Sequence, residues 1–158
     1  MKPKWNRVFW LLPIGVSLFA FYQSSLPGVT SGGMSIPLAR TLQQLLYRFL
    51  TIDISFQTAH FLVRKGAHLF IYFWLGFTFL FAYHRNFSKL SPWILVVFIV
   101  PVIDESIQYF IPGRVMAISD MLIDSVGIIL GFIAFSICLF ILRKLIGLFK
   151  RGSSNEQD

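Results

Sequence analysis

The chain has 158 residues, 56% of them apolar, 17% aromatic and only 13% charged, a balance that excludes a water-exposed globular surface. In a soluble protein its net charge of +7 would raise the question of nucleic acid. Here the basic residues fall between apolar runs, so membrane orientation accounts for them and no nucleic-acid partner is expected.

The N-terminal MKPKWNR followed by VFWLLPIGVSLFAFY has the charged and apolar regions of a secretory signal. The next residues, QSSLPG, lack a small-x-small cleavage site and more apolar runs follow, so an uncleaved first span over about residues 5–22 is expected. Further spans are expected at about residues 67–83, 92–111 and 121–142, each near the roughly 20 residues that cross a hydrocarbon core. Pro13 in the first and Pro101 in the third predict kinks, with neighbouring helices re-satisfying the freed carbonyls. The single cysteine, Cys138, lies in the last run and leaves no intrachain disulfide.

Between the first two spans, LPGVTSGGMS reads as a loop. After it Leu38, Leu42, Leu45, Leu46, Phe49 and Leu50 recur at helical spacing, with Arg40, Gln43, Gln44 and Arg48 off that stripe. This predicts an amphipathic helix lying on the membrane surface or packed over the bundle. The expected fold is therefore all-α: a polytopic membrane protein with a four-helix transmembrane bundle in residues 1–142 and an extra amphipathic surface helix between spans 1 and 2. Residues 143–158 form a basic, then polar tail whose end, GSSNEQD, is expected to be disordered. No internal repeat is present. An N-terminus in the cytoplasm puts nine Lys and Arg on that side (positions 2, 4, 7, 85, 89, 143, 144, 150, 151) against five outside, which predicts that both termini are cytoplasmic.

The ionisable residues near or within the membrane carry most of the information. Lys65, His68 and Tyr72 share a face of the second helix, and Asp104 and Gln108 lie one turn apart on the third with Glu105 beside Asp104. Arg114 follows in the FIPGR turn, and Asp120 and Asp124 share a face of the fourth helix with Gly127 and Gly131. In the expected topology all of these fall at the extracytoplasmic ends of three helices. Asp104, about 18 Å along its helix from Pro92, sits below the rim and must face the bundle interior or a wet cavity.

Two readings of this cluster stand side by side. Arg64, Lys65 and Arg114 against Asp104, Glu105, Asp120 and Asp124 leave one excess negative charge, which a protonated His68 cancels. The group is thus compatible with a salt-bridge network that only packs helices, and equally with a binding or catalytic site. His60 and His68 are eight residues apart, but no motif such as HExxH is present, so neither a metal nor a cofactor is expected. Gly127 and Gly131 form GxxxG, the signature of close helix packing. The cytoplasmic halves of the spans are wholly apolar, which argues against a proton relay or transport path.

These residues also carry a resemblance. RKGAHLFIYFWLG, DESIQYFIPGR and SDMLIDSVGIILG together resemble the VanZ-like family of small bacterial membrane proteins, over about Trp5 to Leu142. Lys65, His68, Tyr72 and Gly76 match its first element; Asp104, Glu105, Gln108, Phe110, Pro112, Gly113 and Arg114 its second; Asp120, Gly127 and Gly131 its third. Asp124 stands where that pattern leads us to expect asparagine, so it is expected to be protonated or paired with Arg114 or Lys65. The resemblance implies a cell-envelope location and an association with low-level resistance to teicoplanin-type glycopeptides, with no reaction.

The expected function is binding of an envelope component, a lipid-linked or anionic polymer headgroup, in an outward polar pocket. Lys65 and Arg114 engage its anionic groups, Asp104, Glu105, Gln108 and Asp120 orient them, His68 is a second donor, and Tyr72 and Asp124 complete the lining. Two alternatives remain at this stage. One is a membrane-embedded hydrolase or transferase with His68, Asp104 and Glu105 as catalytic candidates; the other is a structural or assembly partner. Beyond the lipid bilayer, no partner and no oligomeric state can be read.

Overall fold

A computed structural model describes residues 4–86 and 92–154. Its elements are a 3-10 segment Lys4–Trp10 running into α1 (Leu11–Ser25), then α2 (Gly28–Leu50) and α3 (Phe56–Asn86). A second 3-10 segment, Pro92–Phe98, runs into α4 (Ile99–Tyr109), and α5 (Ile118–Ser154) ends the chain. Among the described residues there is no strand. Three stretches are long and apolar enough to cross a membrane: Arg7–Ser25, Phe56–His84 and Ile118–Gly147.

The expected third span is built differently from the others, as seven 3-10 residues followed by eleven α-helical ones. Each proline predicted to kink a span stands at the third residue of an α segment that follows a 3-10 stretch. Each missing N–H therefore withholds the α-helical donor from a carbonyl of the preceding 3-10 turn, at the place where the helix changes pitch.

α3 and α5 run parallel and in close contact. Lys65 faces Asp120, His68 faces Asp124, and Phe77 meets Phe135 with ring centroids 5.6 Å apart. Glycines permit the approach: a Cβ on Gly131 would lie 2.1 Å from the Phe73 carbonyl oxygen, and one on Gly76 2.2 Å from that of Ile128. α1 runs the other way, with Trp10 of the 3-10 segment before it against Phe79 and its C-terminal end beside Arg114. The second 3-10 segment and α4 are also antiparallel to α5, with Phe98 against Phe132 and Glu105 reaching Ala117 just before α5 begins. Ala20, Tyr72, Leu75, Val97 and Ile128 form the core between them.

Two expectations need correction. Of residues 26–35, expected as a loop, 28–35 are helical: Pro27 redirects the chain and α2 begins at once. Tertiary contact overrides the weak helix propensity of Gly and Ser here. The Gly28 N–H donates to the Pro112 carbonyl at 3.2 Å, and farther along α2 the Ser35 hydroxyl lies 2.8 Å from Nε2 of His60 on α3. Likewise α3 starts at Phe56, eleven residues before the expected second span, with the Ser55 hydroxyl capping the Thr58 N–H at 3.1 Å. The apolar stripe of α2 is divided, with Leu42 and Leu46 half-buried and Leu38, Leu45, Phe49 and Leu50 exposed. Of the expected disordered end, residues 152–154 are the last of α5, and 155–158 lie outside the described residues.

Burial is inverted relative to a water-soluble protein. Glu105, Asp104 and Asp124 are among the largest fully buried side chains, while Leu18, Phe70, Ile129 and Phe140 are exposed. Hydroxyls along the helices, such as those of Thr78, Ser106 and Ser136, donate to carbonyls four residues back, which satisfies them without water.

Candidate functional site

The end of the bundle where α3 and α5 begin gathers all nine residues singled out from the sequence. α3 supplies Lys65, His68 and Tyr72; α4 supplies Asp104, Glu105 and Gln108; the following turn supplies Arg114; α5 supplies Asp120 and Asp124. The parallel register of α3 and α5 pairs them in order. Lys65 bonds Asp120, and one turn deeper His68 Nδ1 lies 3.1 Å from Asp124 Oδ1.

This pairing corrects one of the two alternatives expected for Asp124, that of a partner in Arg114 or Lys65, since it meets neither. Lys65 is already opposite Asp120, and Arg114 is turned toward α1. Its Nε donates to the Leu26 carbonyl at 3.1 Å and its Nη2 to that of Gln23 at 2.7 Å. These carbonyls lie at the C-terminal end of α1 and its cap, where no intrahelical donor remains for them. The PGR turn is therefore a clamp: the Pro112 carbonyl receives the α2 N-terminus, Gly113 adopts a φ of 75° that favours glycine, and Arg114 closes α1.

Below the rim, each of three buried carboxylates is held by one oxygen. Gln108 Nε2 donates to Asp104 Oδ2 at 3.3 Å and to the Ser24 hydroxyl at 3.2 Å. The Ala117 N–H, at the start of α5, donates to Glu105 Oε2 at 2.9 Å, a position that also suits a carboxylate to the helix dipole. Asp124 Oδ1 takes the bond from His68. The second oxygens, Asp104 Oδ1, Glu105 Oε1 and Asp124 Oδ2, make no hydrogen bond of ordinary geometry, nor does the Tyr72 hydroxyl, which lies near enough to Asp104 to interact with it. An ionised carboxylate buried in this way costs several kcal/mol unless something compensates it.

Two cavities open on this cluster. One, of about 210 Å³, has Met34, Leu38, Val63 and Ile71 on its apolar side and His68, Tyr72 and Asp104 on its polar side. The other, of about 390 Å³, is lined by Phe56, Gln57, His60, Lys65 and Asp120 among others. Arg64, His68 and Arg114 line both. Burial, then the neighbouring Arg64, pulls the Arg114 guanidinium below its ordinary value, and Asp104 and Glu105 act the other way.

A sequence profile of the VanZ/LLP1 family matches residues 9–141. The chain belongs to the VanZ/LLP1 family. No curated protein and no solved structure matches it significantly. The motifs quoted for the resemblance thus fall inside the region that defines this VanZ/LLP1 protein, and all three contribute to the cluster. Family membership together with the apolar helices makes it a membrane protein.

Two residues of the cluster were not among the expected binding residues. Arg64, counted from sequence only as a charge, lies one turn before His68 and so shares its face. Ser24 belongs to the polar end of the first span, but only the packing of α1 against α4 shows that it meets Gln108. His60, considered with His68 as a possible metal pair, is directed elsewhere. Ser35 gives its hydroxyl proton to the Gly32 carbonyl at 2.8 Å and accepts from His60 at 2.8 Å.

Proposed function

We propose that this protein is a four-span component of the bacterial plasma membrane, and that its cleft binds the anionic headgroup of a lipid-linked or polymeric envelope component. The observation that carries this reading is the position of Arg64 and Arg114 where the two cavities meet, beside an apolar wall. Two guanidiniums placed side by side repel, and a phosphate between them relieves the repulsion with bidentate hydrogen bonds. Arg114 uses two of its five N–H groups on α1 carbonyls and has the rest to offer. The apolar wall formed with α2 suits an acyl or prenyl chain. Lys65, held by Asp120, shapes the rim and is a weaker candidate for direct contact than Arg64.

The four-span topology is supported by the parallel course of α3 and α5. A chain leaving the end of α3 must return along the full bundle before α5 begins. The 3-10 segment and α4 laid end to end measure about 30 Å, enough for that crossing. With four spans both termini are cytoplasmic and the cleft faces outward, with the exposed apolar stripe of α2 in the outer interface. The family resemblance then suggests a contribution to teicoplanin-type glycopeptide resistance.

The test is binding of short-chain phosphatidylglycerol against phosphatidylcholine to the purified protein in detergent. Wild type should prefer the anionic lipid, and Arg64→Ala should weaken that binding about tenfold. Equal binding of the two lipids, or of the two proteins, removes the proposal. In a host where deletion alters glycopeptide sensitivity, Arg64→Ala should reproduce the deletion phenotype. A second reading, a hydrolase or transferase acting on an envelope lipid, is favoured by His68 and Asp104 both lining the smaller cavity. Turnover of such a lipid that is abolished by Glu105→Gln supports it over binding alone.

A further inference from the structure

We propose that His68, Asp104, Glu105 and Asp124 hold a divalent transition cation of the Mn²⁺ or Zn²⁺ kind. Each of the four offers one donor atom, and these atoms all lie within 4.8 Å of one another. Three helices contribute, so the site exists only in the folded bundle. The carboxylates are sealed from solvent, with Asp104 1% exposed and Glu105 and Asp124 0% exposed.

The hydrogen-bond pattern is the second, independent observation. In Asp104 and Glu105 one oxygen is anchored from outside the group, by Gln108 and by the Ala117 N–H, and in all three acids a second, buried oxygen makes no hydrogen bond of ordinary geometry. Ligating carboxylates show this arrangement, because a fixed outer oxygen aims the inner one at the ion. Among the described residues neither Lys65, which bonds Asp120, nor Arg114, which donates to the carbonyls of Gln23 and Leu26, is hydrogen-bonded to these three acids. A neutral imidazole with its proton on Nε2 presents the Nδ1 lone pair toward the side on which Asp124 lies, so the 3.1 Å between Nδ1 and Asp124 Oδ1 brings two ligands to one ion.

Donor chemistry selects the class of ion. Three carboxylates and one imidazole suit Mn²⁺ or Zn²⁺; Ca²⁺ asks for six to eight oxygens and Mg²⁺ retains most of its waters. His68 and Asp104 also line the 210 Å³ cavity, which provides an entry path. The ion is then next to Arg64, so an anion in the cleft meets positive charge on two sides. The cation site stands by itself whether or not a headgroup binds.

The experiment uses the full chain in detergent, tag removed, stripped with EDTA and desalted. Titration calorimetry and thermal unfolding are followed with Mn²⁺ and with Zn²⁺. Wild type should bind about one equivalent of at least one of them and unfold at higher temperature when loaded. Asp104→Asn, Glu105→Gln and Asp124→Asn should each weaken binding at least 100-fold, and His60→Gln should leave it unchanged. Wild type loaded with Co²⁺ should show ligand-field absorption, a readout that does not depend on the variants folding. Absence of saturable binding and of that absorption overturns the proposal. So do amide variants that unfold at the wild-type temperature or higher with no dependence on metal, because the acids are then a protonated hydrogen-bonded network. Neither result affects the lipid-binding comparison at Arg64, so the two ideas fail separately.

Discussion

Adding one methyl group at Gly131 should loosen the whole site from a distance. A Cβ there would lie 2.1 Å from the Phe73 oxygen and 2.6 Å from the Phe77 nitrogen, where ordinary contact begins near 3.4 Å. Both obstacles are backbone atoms of α3 and cannot rotate away, so the helices must part by more than an ångström. Alanine gains about 1 kcal/mol over glycine in helix propensity. Overpacking of this kind costs about 1–3 kcal/mol, and parting the helices also pulls on the Lys65–Asp120 and His68–Asp124 contacts. We expect a net loss of about 2 kcal/mol for Gly131→Ala, with the overpacking cost near its upper limit. Gly66, also on α3, meets nothing within 4 Å, so Gly66→Ala should gain up to about 1 kcal/mol. Reversible unfolding in mixed micelles, titrated with sodium dodecyl sulfate and followed by tryptophan fluorescence, gives both values on one scale. A Gly131→Ala protein as stable as Gly66→Ala would refute the packing argument, because propensity alone makes the two substitutions equivalent.

Other consequences follow from single contacts. Lys65→Asp and Asp120→Lys should each destabilise the protein, while the double swap recovers part of the loss. The coupling energy in that double-mutant cycle should be near 1 kcal/mol, since both groups are partly solvated, and zero coupling would remove the pair. Arg114→Gln leaves the Gln23 and Leu26 carbonyls without their charged donor and should cost about 2–3 kcal/mol in the same unfolding assay. An unchanged midpoint would mean that Arg114 is free for ligand alone. His60→Ala removes the link from α3 to Ser35 of α2, worth about 1 kcal/mol. Amide hydrogen exchange should rise across residues 28–50 and remain as before in α5; equal protection in α2 would show that this bond does not hold it.

Much of the architecture could be read without coordinates, because hydrophobic runs of membrane length and a shortage of charge leave few options. The helical spacing of Lys65, His68 and Tyr72, and of Asp120 and Asp124, likewise required only 3.6 residues per turn. The start of α2 could not be read that way. Its glycines and serines have loop propensities, and what makes them helical is contact with Pro112 and α3. Arg64 entered only as a charge of the cluster, because its place on the wall of both cavities depends on how the helices pack.

Partner choice within the cluster lies furthest from the amino-acid order. Composition listed the acids and bases and placed them at one end of the bundle, since the residues on each helix are related by local geometry. Which acid meets which base depends on the axial register of α3 against α5, and that register is set by Gly76, Gly127 and Gly131 fitting against backbone on the facing helix. Contacts between residues more than fifty positions apart, such as His68 with Asp124, have no local correlate. The same register leaves each of the three buried carboxylates with one oxygen that makes no ordinary hydrogen bond, and only packing in three dimensions could produce that.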